Sequence, residues 1–188
     1  MEETNLSPLR ILIVEDSAQM CELLCVLLEA MGITDVLVAH DGEEGHALFL
    51  EHVPDIIITD GAMSPIDGYE LTDRIRKNPD NPNPYVPIIM LSGHLEEERV
   101  ERARATGVTE YLAKPVSSDT LYERLTSIVS SPYYFVRTPT YLGPDRRRKT
   151  SALVYSGPER RDTEPLPPRD KKIVRLEKAL PFGPIRSF

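Results

Sequence analysis

A chain of 188 residues has room for one domain of ordinary size and an appendage. Its net charge of −8 conceals two unlike parts: residues 1–130 carry 9 Lys and Arg against 24 Asp and Glu, a net of −15, while residues 131–188 carry 13 against 6, a net of +7. With no apolar run near 18 residues a transmembrane helix is not expected, nor is secretion expected from the acidic opening MEETNLSPLR, and the two cysteines suit a reducing cytoplasm.

Leu9–Val14 (LRILIV) predicts a buried strand that stops at the acidic pair Glu15-Asp16. From Ser17 the apolar positions 20, 23, 24, 27 and 28 fall at helical spacing until Gly32. Cys21 and Cys25 sit four apart on that helix and read as buried small hydrophobes, since one face without a nearby His makes a poor metal site. Asp35–Ala39 predicts the second strand and Glu43–Glu51 the second helix. Ile56–Thr59 predicts a strand ending at Asp60, followed by a helix over Gly68–Arg76. Residues 77–87 (KNPDNPNPYVP) form a long, proline-rich connection, expected to be extended and open to a partner. Ile88–Leu91 leads into Ser92-Gly93. Glu96–Ala105 predicts a solvated helix whose Arg99, Arg102 and Arg104 pair with glutamates of the same helix. Tyr111–Ala113 ends at Lys114-Pro115, and Ser118–Ile128 closes the series with a fifth helix.

Five strands alternating with five helices predict an α/β fold with a parallel sheet covered on both faces. Sites in such sheets gather outside the C-terminal strand ends, near a switch point in strand order. Four of the five strands deliver a polar residue there: Glu15-Asp16, Asp60, Ser92 and Lys114. Three carboxylates in one pocket repel by roughly 4 kcal/mol per pair at about 4 Å in an effective dielectric near 20, so the cluster calls for a cation. Hard oxygen ligands suit Mg²⁺. An aspartate beside such an ion can attack a phosphoryl group, with the Lys114 ammonium and Ser92 hydroxyl placed to receive its oxygens.

These motifs resemble the receiver domains of bacterial two-component response regulators, in particular the single-domain type typified by chemotaxis regulators. Glu15-Asp16 is similar to their acidic pair, and Asp60-Gly61-Ala62-Met63 with Pro65 and Asp67-Gly68 resembles the segment around their acceptor aspartate. Ser92-Gly93 stands where receivers carry Thr or Ser before a small residue, and Lys114-Pro115 with Tyr111 resembles their Lys-Pro pair and switch aromatic. The resemblance runs over roughly residues 8–130. It departs in Met63-Ser64-Pro65, where the proline is displaced by one position. The resemblance implies a flavodoxin-like, doubly wound five-stranded sheet. It further implies that Asp60 accepts a phosphoryl group from a sensor histidine kinase or a phosphotransfer protein. Glu15, Asp16, Asp60 and the carbonyl of Ala62 would supply Mg²⁺ ligands, Ser92 and Lys114 would bind the phosphoryl group, and Tyr111 would turn inward on activation. His94, two past Ser92, is a candidate for the pocket rim.

Two other functions are weighed beside this one. A phosphohydrolase of the haloacid dehalogenase type resembles a pattern with a second aspartate two residues after the first, and here that position is Ala62. A phosphorylation-independent adaptor is opposed by the intact Asp60 and Lys114. Apart from its own phosphoryl transfer and dephosphorylation, no enzymatic activity is expected. Residues 1–130 are read as the receiver and 131–188 as a basic, proline-rich extension that is largely irregular. Within the extension, Tyr141–Arg148 recurs loosely as Tyr155–Asp162, each copy a Gly-Pro turn presenting paired arginines, Arg146 and Arg147 or Arg160 and Arg161. Such pairs suit carboxylate or phosphate, and the extension is read either as a disordered, solubilising tail or as carrying docking motifs for a downstream protein. No zinc spacing, helix-turn-helix or aromatic RNA-binding pattern supports nucleic acid as the partner. Asp170–Leu180 is expected to form a short helix with Ile173, Leu176 and Leu180 on one face.

Overall fold

The structure, a computed structural model, describes residues 4–78, 80–93, 97–130, 133–138, 140–145 and 170–174. Strands β1 (Arg10–Val14), β2 (Asp35–Ala39), β3 (Ile56–Asp60), β4 (Ile88–Ser92) and β5 (Glu110–Ala113) alternate with helices α1 (Ala18–Ala30), α2 (Gly42–His52), α3 (Gly68–Lys77), α4 (Glu97–Thr106) and α5 (Ser118–Ser130). All neighbouring strands of the sheet run parallel, in the order β2-β1-β3-β4-β5. The parallel sheet expected from the alternation, doubly wound as the resemblance implies, is therefore the one that forms. No helix among the described residues is long and apolar enough to cross a membrane.

Successive strand residues leave opposite faces of a sheet. Ile11, Ile13, Ile56, Ile58, Ile89 and Leu91 accordingly meet Leu24 and Leu28 of α1 and Leu121 and Leu125 of α5. Leu12, Val14, Ile57 and Ile88 join the other cluster, with Phe49 of α2 and Leu71 and Ile75 of α3. Both faces are dry, which is why these strands read as unbroken apolar runs rather than as alternations. Helix starts are fixed by side-chain caps: Asp41 accepts the N–H groups of Glu43 and Glu44 at 2.8 and 2.9 Å, and Asp67 accepts that of Glu70 at 2.7 Å.

Three more strands follow α5: β6 (Tyr133–Arg137), β7 (Leu142–Pro144) and β8 (Asp170–Val174), in an antiparallel sheet of order β7-β6-β8. The helix expected over Asp170–Leu180 is corrected here. Its first five residues are a strand, with Lys172 opposite Phe135, and residues 175–180 lie outside the described ones. A helix that short is marginal in water. The aromatic and β-branched run at 133–136, by contrast, presents open edges whose backbone groups need partners. The paired arginines Arg146, Arg147, Arg160 and Arg161 also lie outside the described residues.

This second sheet rests on the pole where β4 and β5 begin. Phe135 is fully buried, stands edge-to-face with Tyr85 at 5.7 Å between centroids, and lies under the Arg76 guanidinium at 5.2 Å. Arg76, at the end of α3, is only 2% exposed; its Nε donates to the carbonyl of Gly107 at 3.1 Å and its Nη1 to that of Pro84 at 2.7 Å. Burial pulls this guanidinium down to about 9. Gly107, at φ +90°, admits the close approach: a Cβ there would lie 2.4 Å from the carbonyl oxygen of Leu142. The proline-rich connection, expected to meet a partner, thus meets this chain's own extension through Tyr85. Its Asn81 amide also closes α3, donating to the carbonyls of Arg74 and Ile75 at 3.0 and 2.8 Å. Phe135→Leu removes the ring from both contacts and is expected to lower stability by about 1–2 kcal/mol. A urea midpoint equal to that of the wild type would show that the second sheet is not seated on Arg76.

Candidate functional site

Strand register brings the polar residues together. Val14 pairs with Thr59, Asp60 with Leu91, and Ser92 with Ala113, so Glu15, Asp60, Ser92 and Lys114 all emerge at one edge, Ser92 one residue and Lys114 two residues past the level of Asp60. The backbone continues the alignment past the strands, with Lys114 N–H donating to the Ser92 carbonyl at 2.8 Å and Gly61 N–H to that of Leu91 at 2.8 Å. The order of strands reverses between β1 and β3, whose helices leave on opposite faces, and the crevice opens there. Gly68 lets α3 begin against this edge, because a Cβ at that position would lie 2.1 Å from the backbone oxygen of Asp60.

Glu15, Asp16 and Asp60 each offer a carboxylate oxygen, and these atoms all lie within 4.8 Å of one another. Glu15 and Asp60 are buried and Asp16 is exposed. Lys114 already holds two of the three: its Nζ lies 2.7 Å from Glu15 Oε2 and 3.0 Å from Asp60 Oδ2. The repulsion expected in the cluster is therefore partly compensated from within the chain. Burial still dominates for Glu15 and raises its carboxyl above the ordinary range, with Lys114 pulling the other way and Asp60 adding to the rise. Burial opposes the charge on Lys114, but its contacts with Glu15 and Asp60 outweigh that and leave its pKa raised. The other carboxylate oxygen of Asp60, Oδ1, accepts the N–H of Ala62 at 3.2 Å. Hard oxygens close together, one of them open to solvent, fit a small divalent cation.

Ser92 is buried at the end of β4, between Asp60 and Lys114 in strand order. Tyr111 is half-buried on β5 and packs against Tyr69, Met90, Ala103 and Val108. Burial pushes the Tyr69 hydroxyl up to about 12, helped by a hydrogen bond with Tyr111. His94 lies outside the described residues.

Tyr69, Arg99 and Arg102 were not anticipated at the site. Arg102 pairs outside its own helix: its Nη2 lies 3.2 Å from Asp67 Oδ2, and its guanidinium sits 4.1 Å over the Tyr69 ring. Arg104 does pair locally, with Glu101 at 2.7 Å. Together with Asp16, Gly61, Ala62 and Met63, the residues Asp67, Tyr69, Arg99 and Arg102 line a cavity of about 560 Å³, reached from Asp60 through the next two residues of the chain. The only sequence signal for the arginines was their spacing of three, which puts Arg99 and Arg102 on one helix face.

Residues 11–126 match the family model of the response regulator receiver domain. The phosphate regulon transcriptional regulatory protein PhoB of Pseudomonas aeruginosa is 33% identical over 119 residues, covering 63% of this chain and 51% of that protein. The chain thus spans about half the length of the curated regulators of this kind that it matches. Among experimental structures, Vibrio cholerae chemotaxis protein CheY4 superposes with a TM-score of 0.60 at 28% identity, covering 64% of this chain and 98% of that one. CheY in the CheX-CheY-BeF3-Mg complex of Borrelia burgdorferi gives a TM-score of 0.59 at 26% identity, covering 64% and 89%.

Proposed function

The chain belongs to the response regulator receiver family, and from that premise we propose that Asp60 accepts a phosphoryl group and that the resulting charge switches partner binding. The observation that carries this is Lys114, whose ammonium spans Glu15 and Asp60 where β1, β3 and β5 end. The accepting unit is residues 1–130, with 131–188 an extension whose described strands β6 and β7 lie at the other pole. The donor is a sensor histidine kinase or a phosphotransfer protein, and the receiver of the signal is a downstream protein.

Glu15, Asp16 and Asp60, with the Ala62 carbonyl, would hold Mg²⁺, which when bound supplies positive charge beside the transferring oxygens. A carboxylate oxygen of Asp60 attacks, while the Ala62 N–H keeps that carboxylate oriented. The product carries roughly −1.5 to −2 charges. Lys114 then turns its ammonium from the carboxylates to the phosphoryl oxygens, and the Ser92 hydroxyl donates to another. Tyr111 follows by leaving Tyr69 and moving inward. The first test is labelling by a small phosphodonor with Mg²⁺ or with chelator. A stable label that requires the metal is expected. Continuous turnover of the donor would favour a phosphohydrolase, and no label under either condition would favour an adaptor.

A further inference from the structure

The cavity of about 560 Å³ runs from Asp16 and from Gly61 and Ala62, the two residues that follow Asp60, to the two arginines of α4. We propose that this cavity is a subsite for the leaving group of a small-molecule phosphodonor, and that Arg99 and Arg102 make the protein selective for acyl phosphates. This rests on Asp60 being the phosphoryl acceptor.

The geometry assigns each part. Asp60 Oδ1 is fixed by the Ala62 N–H at 3.2 Å, and Ala62 is one of the residues that line the cavity. Arg102 is held at the cavity by two contacts from α3 and its cap, the Tyr69 ring at 4.1 Å and Asp67 Oδ2 at 3.2 Å from Nη2. A guanidinium carries five N–H donors, so one contact to Asp67 leaves others to direct at a ligand. Arg99 lies three residues before it, on the same face of α4, and lines the same wall. Asp16, Asp67 and Glu98 also line the cavity, so it is not a general anion sink. What favours an anion is the pair of planar forks, whose geometry matches a carboxylate.

The step balances without another reactant. A carboxylate oxygen of Asp60 forms a bond to phosphorus, the bond from phosphorus to the acyl oxygen breaks, and its electron pair leaves on that oxygen. The products are the aspartyl phosphate and a free carboxylate, with no proton transferred. The negative charge that appears on the leaving oxygen is the charge Arg99 and Arg102 stabilise. With phosphoramidate the leaving group is neutral ammonia, and two guanidiniums offer it no such help.

The experiment measures labelling rates of the full chain with acetyl phosphate and with phosphoramidate, in Mg²⁺ buffer, and reads their ratio. The double variant Arg99→Gln, Arg102→Gln is expected to lower the acetyl phosphate to phosphoramidate ratio by about tenfold, the worth of one charge-assisted hydrogen bond. Arg104→Gln, on an exposed residue paired with Glu101 and outside the cavity, is expected to keep the wild-type ratio. A ratio unmoved in the double variant, whether both rates fall together or neither falls, overturns the subsite. Wild-type protein that takes label from neither donor overturns the Asp60 reading, and the subsite with it.

Discussion

Asp60→Asn is expected to abolish labelling by any phosphodonor. The amide keeps the shape and can still accept the Ala62 N–H through its oxygen, in the place of Asp60 Oδ1. Its nitrogen replaces or faces the contact that Asp60 Oδ2 makes with Lys114 at 3.0 Å, so donor meets donor and Lys114 shifts toward Glu15. What is lost is the carboxylate nucleophile, and no neighbouring group replaces it in kind. The other aspartates near this sequence have structural tasks: Asp55 Oδ2 accepts the Arg10 N–H at 2.9 Å and Asp67 caps α3. Intact mass after treatment with donor, followed by borohydride trapping and peptide mapping, reads the result. Undiminished label in the variant, or label mapped to Asp55 or Asp67, would sink the assignment.

Lys114→Ala is expected to destabilise the protein by about 3 kcal/mol at neutral pH without Mg²⁺, the lower end of what breaking a buried ion pair costs. Glu15 is left 2% exposed at its side chain, beside Asp60, with no cation between them. The sign of the pH dependence follows. Lys114 has a raised pKa, so in the wild type its contribution is present below its unfolded pKa and is lost only as pH rises through the folded value. Glu15 has a raised pKa, so its ionised form costs stability, and that cost is relieved as pH falls through the folded value. The variant raises Glu15 further, and the stability gap to the wild type should narrow as pH is lowered from neutral. Mg²⁺ should also raise the variant's urea midpoint more than that of the wild type, because it binds the folded state alone and replaces the lost cation. A variant with the wild-type midpoint at neutral pH, or a gap that widens in acid, would show that Lys114 does not neutralise the pair.

The fold was open to reading because its five parallel strands are short apolar runs, four of them ending at a polar residue or pair. The ends named Glu15, Asp16, Asp60, Ser92 and Lys114 without any need for register. Register was needed for the rest. That Lys114 reaches both Glu15 and Asp60 depends on β5 lying one strand from β3 and on a long side chain crossing β4's end, which no local pattern encodes. Arg102 matched a local ion-pair pattern as well as any residue of α4, and its real partner, Asp67, is brought near only by packing of α3 on α4. The second sheet was missed for a like reason. Tyr133–Val136 has a strand's composition, but its partner Asp170–Val174 is far away in sequence and bears a plausible helical spacing. Tertiary pairing decided between the two.

The Lys114 contact also makes the rim of the sheet a shared account among competing anions. One ammonium serves Glu15 on β1's end and Asp60 on β3's end while its own backbone extends β5. Any new anion that recruits it competes with the side-chain tie between the outermost strand's tip and the sheet's centre. Thermodynamic reciprocity then runs backward: a partner that holds that tip away from the centre tightens the grip on the new anion by the same factor, and one that clamps it inward loosens that grip. Binding at the edge of the sheet and charge at its centre are one equilibrium observed from two ends.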